Sequence, residues 1–335
     1  MLSTLGGVAS DRLAGCRGQE LPNLLWAWAT LGLAPAGAWG RLEEQAVREL
    51  PNLTPQGISN VAWACATLPR GAPDLSAAIV KAAAQNSRGF SAQGLANVSW
   101  SCAVLKLADA SLLQVLASEA TSKLSAFAAQ NLSNLAWAFA TLVVTDTWLF
   151  GRLSGHAALR IRSFKPQELS GIAWSFAKLC LTSPCLMEAV AAEAASKVSS
   201  AWAAQNLANT AWAFAALHVS CPVLLARITA EAGPRLSEMK LQELANLAWS
   251  LATCDATWPS TLRAVESELA VRLQRCLACP SDASLWGAPV AEFAMTAIGL
   301  LWSLHFAGVL RQDVLDLARS ALTQLGRSFD GQRPP

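Results

Sequence analysis

A glutamine followed seven residues later by a tryptophan returns along the chain at one fixed interval. No other feature constrains the fold as much. The segments start at Gln19 (QELPNLLW), Gln56 (QGISNVAW), Gln93 (QGLANVSW), Gln130 (QNLSNLAW), Gln167 (QELSGIAW), Gln205 (QNLANTAW) and Gln242 (QELANLAW). Successive glutamines stand 37, 37, 37, 37, 38 and 37 residues apart. Self-similarity at such a period marks an array whose units bury their apolar faces only by stacking on one another. Apolar residues recur at helical spacing, and no segment alternates as a strand would. The expected fold is all-α: an α-solenoid of about eight two-helix (helix-turn-helix) repeats of ~37 residues.

A degenerate eighth copy ends at Trp302 (MTAIGLLW from Met295), 53 residues after Gln242, so about 16 residues are inserted. The insertion is expected as a loop over 276–290, where Pro, Ser and Gly accumulate. The expected organisation is seven repeats over 19–275, that loop, the eighth repeat over 291–329 and a tail over 330–335. Residues 1–18 fit the second helix of a preceding repeat, since Arg12-Leu13 precede Gln19 as Lys123-Leu124 precede Gln130. At the other end Phe329 precedes Gln332 as Phe127 precedes Gln130. Both ends thus cut through the pattern, as expected of part of a longer protein.

Counting from each glutamine as zero, helix A runs for about twelve residues, as over 130–142. Thr54 followed by Pro55 is a start signal, and Ser91 fits the same cap role. Helix B follows a short loop, as over 112–124 and 224–236, with Pro184 and Pro222 marking such loops. At about 100° per residue, positions 2, 5, 9 and 12 fall together; in the fourth repeat they are Leu132, Leu135, Phe139 and Leu142, the expected core. Positions 6 and 10, such as Ala136 and Ala140, are small and let neighbouring helices approach.

Positions 1, 4, 8 and 11 are read as the remaining, polar face. Position 4 carries Asn23, Asn60, Asn97, Asn134, Gly171, Asn209 and Asn246, and position 1 varies through Glu20, Gly57, Gly94, Asn131, Glu168, Asn206 and Glu243. Stacked repeats would align these into a ladder along a groove. The asparagines have two readings: amides that fix the stacking register, or donors and acceptors shown to a ligand. Variation at position 1 favours a ligand there, although Glu in a first helical turn also suits the helix dipole. The tryptophan at position 7 likewise reads either as a stacking platform for bases or as packing between repeats.

Helix B carries most of the charge. Glu precedes Lys or Arg by four at Glu44/Arg48, Glu119/Lys123, Glu193/Lys197, Glu231/Arg235 and Glu268/Arg272, a spacing that supports a solvated helix. In the fourth repeat Arg152, His156, Arg160, Arg162 and Lys165 cluster without nearby acids, and Lys178 follows on the next helix A. This patch reads as a grip for an RNA backbone or as a solvated face.

Net charge is +2 and the isoelectric point about 8.1, which neither supports nor excludes a polyanionic partner. The 14 Trp against no Tyr reflect one local pattern copied many times. Nine Cys include one CxxC, Cys276 and Cys279, with no second ligand pair nearby, so no metal is expected. Residues 198–226 carry no formal charge, yet Gln205, Asn206, Asn209 and Pro222 make a membrane span unfavourable. There is no Gly-rich phosphate loop and no His-based dyad. Neither catalysis nor a cofactor is expected.

The helix A motif, clearest at Gln242 (QELANLAWSLAT) and Gln130 (QNLSNLAWAFATL), resembles the octotricopeptide repeat. It is also similar to the 37-residue repeats of alveolate proteins with a RAP domain and to the leucine-rich region of FAST-kinase-like proteins. These families act on organellar RNA, in transcript stability, processing, translation or ribosomal RNA assembly. The resemblance implies that helix A lines an RNA-facing groove, with positions 1 and 4 touching the ligand. It also implies a mitochondrion or plastid as the location. The expected function is binding of single-stranded RNA within an organellar ribonucleoprotein. The competing expectation is a protein-interaction scaffold subunit of such a complex.

Overall fold

The computed structural model describes residues 18–32, 39–68, 72–254, 258–278 and 290–330. Most of the expected helix over 1–18, most of the loop over 276–290 and nearly all of the tail over 330–335 lie outside these. Sixteen α-helices and no strand occur among the described residues. The chain divides into two compact units, Met1–Phe164 and Lys165–Pro335.

The first unit holds α1 (Glu20–Leu31), α2 (Trp39–Glu49), α3 (Pro55–Thr67), α4 (Pro73–Gln85), α5 (Ala92–Val104), α6 (Ala110–Lys123), α7 (Ala129–Thr141) and α8 (Thr147–Leu159). Odd-numbered helices are the A helices, and each packs against the next: α1 on α3, α3 on α5, α5 on α7. The B helices form a second layer in the same manner, α2 on α4, α4 on α6 and α6 on α8. The second unit repeats the plan with α9 (Pro166–Lys178), α10 (Pro184–Lys197), α11 (Ala204–Ala216), α12 (Pro222–Ala232), α13 (Leu241–Thr253), α14 (Pro259–Ala278), α15 (Val290–Phe306) and α16 (Gln312–Asp330). Each unit is an α-solenoid of two-helix repeats. Helix α14 continues to Ala278, three residues into the stretch read as a loop, and Cys276 packs inward. Among the described residues no helix is long and apolar enough to cross a membrane. No group of three or more His, Cys, Asp or Glu among them is placed to hold a metal ion.

The core is the one that the wheel of helix A dictates. Leu132, Leu135 and Phe139 are fully buried, while Leu142 lies past the helix end and is half-buried. Helix B starts with caps that the sequence reading missed. Asp109 accepts from the Leu112 N–H and Asp146 from the Leu149 N–H, each at 2.8 Å. Pro184 and Pro222 are the first residues of α10 and α12, where a missing N–H costs nothing.

Six A helices, α1, α5, α7, α9, α11 and α15, end on a left-handed residue at one repeated position. Gly32 and Gly308 fill it at the array's extremes, but Lys106, Val143, Cys180 and His218 fill it inside, with φ between 53° and 57°. At Val143 the N–H reaches the Ala140 carbonyl at 3.2 Å and the next N–H reaches that of Phe139 at 2.9 Å, the Schellman pattern. A β-branched residue is poorly suited to this backbone. Its side chain is 67% exposed, so little packing is lost on removal. Val143→Gly is therefore expected to raise stability by about 1 kcal/mol. A denaturant midpoint that falls instead would show that Val143 makes a contact worth more than its backbone strain.

Two buried thiols predict an alkaline limit. Burial, helped by the Asp109 carboxylate, pushes the Cys102 thiol up to about 12. Burial, helped by Glu43 and opposed by a hydrogen bond from Ser76, pushes Cys65 up to about 11. The unfolded chain begins to lose thiol protons near pH 9, whereas the folded chain holds them. Stability is thus full below pH 9 and falls as pH rises above it, by about 1 kcal/mol per thiol at pH 10. Cys102→Ala should flatten that decline, which urea melts between pH 8 and 10 would read.

Candidate functional site

The open face of helix A is narrower than the sequence reading drew it, and it is centred elsewhere. Position 8 is buried in the second to seventh repeats, as Ala64, Ser101, Ala138, Ser175, Ala213 and Ser250. The three serines return their hydroxyls to a carbonyl four residues back, at 2.6–2.7 Å. The glutamine at position zero is instead exposed in all seven repeats that carry it. At about 100° per residue, positions 0, 4, 7 and 11 span only about 60°. These form the open stripe: an exposed Gln, a half-buried Asn, a Trp, and a Thr in the first, second, fourth and seventh repeats. Positions 1 and 8 turn toward the preceding repeat and position 3 toward the following one. Thus a Cβ on Gly57, at position 1, would lie 3.2 Å from Pro22, at position 3 of the repeat before.

The glutamines are the residues that sequence reasoning missed. They served only as the register mark, although their invariance on a solvated face was itself a signal. Gln19 donates to Asn23 at 3.3 Å and Gln242 to Asn246 at 2.9 Å. Asn246 in turn donates to Asn209 of the preceding repeat at 3.5 Å, a bond at the limit of the range. In the first unit the stripe borders an open depression of about 460 Å³ lined by Gln19, Gln56, Gln93, Asn60 and Asn97. Asn23 is exposed, and Asn60, Asn97, Asn134, Asn209 and Asn246 are half-buried.

Position 1 varies for a reason inside the fold. Where the residue before the helix is Thr54 or Ser91, its hydroxyl accepts from the N–H of Gly57 or Gly94. Where it is Ala128, Lys165 or Lys240, no such acceptor exists. There Asn131, Glu168 or Glu243 reaches back to its N–H at 3.2, 2.7 and 2.7 Å. The two halves of a capping box substitute for one another. The glycines also answer to space, since a Cβ on Gly94 would sit 3.1 Å from the Phe90 ring. Asn206 accepts from Ser170 of the preceding repeat at 3.3 Å. Glu168 is buried, Asn131, Asn206 and Glu243 are half-buried, and Glu20 is exposed. Ligand readout is thus not needed to explain the variation at position 1.

The tryptophans pack from repeat to repeat. Trp26 and Trp63 lie 6.3 Å apart at 35°. Trp174 and Trp212, then Trp212 and Trp249, lie 6.4 and 6.3 Å apart at 38°. The hydroxyls of Thr30, Thr67 and Thr253 donate to the Trp carbonyl four residues earlier, each at 2.8 Å.

The expected basic patch separates into residues of different kinds. Arg152 and Arg162 of the first unit are exposed, as are Lys165 and Lys178 of the second. Arg160 is half-buried and its guanidinium holds two backbone carbonyls of the preceding repeat, Ser125 and Phe127, both at 2.7 Å. It is one of a series. Lys123 holds the carbonyls of Arg88 and Phe90 at 2.7 and 3.0 Å, and Arg235 that of Trp202 at 2.9 Å. Arg272 reaches that of Leu236 at 3.2 Å. Of the helix B pairs expected from spacing, Glu119/Lys123, Glu193/Lys197 and Glu268/Arg272 form, at 2.7–3.2 Å. Arg235 turns instead to Glu238 at 3.3 Å.

No curated protein matches the chain. Among known structures, a chain in a homology model of the full-length AP-3 complex in an intermediate open conformation is similar at 10% identity, with a TM-score of 0.32. The likeness covers 92% of this chain and 51% of the other, so this chain spans about half the length of its match. At that score it carries no argument. The family model of the RNA-editing substrate-binding complex 6 protein matches residues 16–222 and again 58–267, as a pattern that is itself repeated will do. Each match alone covers more than half of the 335 residues, and the chain belongs to the RNA-editing substrate-binding complex 6 protein family.

Proposed function

We propose that this chain is a non-catalytic RNA-binding subunit of a ribonucleoprotein, and that single-stranded RNA lies along the Gln–Asn stripe of the A helices within each unit. The observation that carries this reading is the glutamine exposed in all seven A helices that carry it, four residues before an asparagine in six of them. Carboxamides offer both donors and acceptors and can pair with base edges that a single strand leaves open. One repeat per base is the spacing other helical-repeat RNA readers use. The family's name supports an RNA-editing assembly as the setting, and hence the mitochondrion; it lends no support to a plastid. The resemblance of the helix A motif to octotricopeptide and FAST-kinase-like repeats is a further support for helix A as the RNA-facing element.

The test is a titration of the purified chain against short single-stranded RNAs at two salt concentrations, with duplex RNA as control. Selective binding of single strands is expected. Gln56→Ala with Gln93→Ala should weaken it roughly three- to tenfold, at about 1 kcal/mol for a lost hydrogen bond. The melting temperature should stay in place, because these amides are exposed. A protein-contacting scaffold is the second reading. It is favoured by the engagement of Arg160 with backbone rather than solvent, and absence of binding at low salt would establish it over the first.

A further inference from the structure

In α15 the open stripe changes character. Met295, Gly299, Trp302 and Phe306 occupy the positions that carry Gln, Asn, Trp and most often Thr in the inner repeats. Met295 is 70% exposed, Trp302 55% and Phe306 60%, and Ile298 beside them is 50% exposed. Trp302 and Phe306 stack on one another, with centroids 5.4 Å apart at 11°. Gly299 sits in the middle of this face, and a Cβ there would meet nothing within 4 Å. A glycine within an exposed helix weakens it relative to alanine, and no contact among the described residues calls for one here.

We propose that this face pairs with the same face of a second copy of the chain, two α15 helices packing antiparallel about a two-fold axis. The face lies about a quarter turn from the side of α15 that packs on α13, where Thr296 donates to Gln242 at 3.2 Å, so a helix seated on it extends contacts that α15 already makes. It also fits itself. In an antiparallel pair centred between Gly299 and Trp302, Trp302 of each copy meets Gly299 of the other, bulk against the gap. Met295 then meets Phe306 of the second copy, a thioether against a ring. Such reciprocity is what an isologous interface requires. The neighbouring helix α16 offers no comparable surface, its exposed side being held by the Asp316–Arg319 ion pair and other polar groups. Two such faces bury on the order of 1,000 Å² together, the low end for a specific interface, so the dimer should form in the micromolar range.

Sedimentation of the full chain from about 1 to 200 µM tests this. A concentration-dependent monomer–dimer equilibrium is expected. Trp302→Asp should weaken it at least tenfold while the thermal melt falls only slightly, by the loss of the stack on Phe306. Gly299→Leu is the sharper variant. It adds apolar area and helix propensity, so it would strengthen indiscriminate hydrophobic association, but it fills the gap that receives Trp302 and should weaken the proposed pair. A wild-type chain monomeric throughout overturns the proposal, as does a dimer tightened by Gly299→Leu. So does a monomer whose affinity for short single-stranded RNA falls on Trp302→Asp, which would give the face to RNA instead.

Discussion

Arg160→Ala is expected to lower the stability of the folded chain by about 3 kcal/mol and to leave the salt dependence of RNA binding as it was. The two 2.7 Å bonds from this guanidinium end on the carbonyls of Ser125 and Phe127. Hydrogen bonds to a charged group contribute about 1.5–3 kcal/mol each, and losing both leaves two carbonyls that regain only partial solvation. Arg160→Lys should lose less than about 1 kcal/mol, because Lys123 holds the equivalent pair with a single ammonium. Arg152→Gln, at an exposed site, should leave stability in place. Denaturant melts of the three variants, with binding slopes against salt, separate the roles. An unchanged melt with a shallower salt slope for Arg160→Ala would return this residue to the RNA backbone.

The second large effect is expected at Arg311. Glu266 on α14 is 2% exposed, and its carboxylate accepts from the Arg311 N–H at 2.6 Å and from its guanidinium at 3.0 Å. Truncation to Ala leaves a buried carboxylate with half its partners. Breaking a buried pair costs about 3–5 kcal/mol, but the Arg311 side chain is 54% exposed, and water admitted there reduces the figure to about 2–3 kcal/mol. Replacing both residues, Glu266→Leu with Arg311→Met, should recover most of the loss, because no charge is then left buried. If the double variant melts no higher than Arg311→Ala, the pair does more than neutralise itself.

The period of the repeat, the helix count per repeat and the core at positions such as Leu132 and Phe139 were legible in the sequence because burial acts on side chains, and side chains are what a sequence spells out. The open stripe was drawn to the wrong side because Asn and Thr were sorted by polarity alone. That drew in position 8, where small side chains tuck against the preceding repeat, and left out the glutamine. Arg160 was harder to read. Its partners are backbone carbonyls 33 and 35 residues away, and a carbonyl has no letter of its own. Chemistry at position 1 could have been read, because Thr54 with Gly57 and Lys165 with Glu168 are short-range correlations, but variation alone looked like choice of ligand.

That exchange of caps has a consequence for how such arrays can change. Moving a repeat from the Thr54/Gly57 type to the Lys165/Glu168 type takes two substitutions, and either order passes through a worse intermediate. Thr54→Lys alone strips the helix start of its acceptor, at about 1 kcal/mol. Gly57→Glu alone thrusts a side chain against Pro22 and Leu53, which a Cβ would already approach to 3.2 and 3.3 Å. The clash is with residues outside the pair, so adding Thr54→Lys does not relieve it. Each type of helix start is fitted to the repeat before it as well as to its own cap, and a repeat changes type without loss only together with that neighbour.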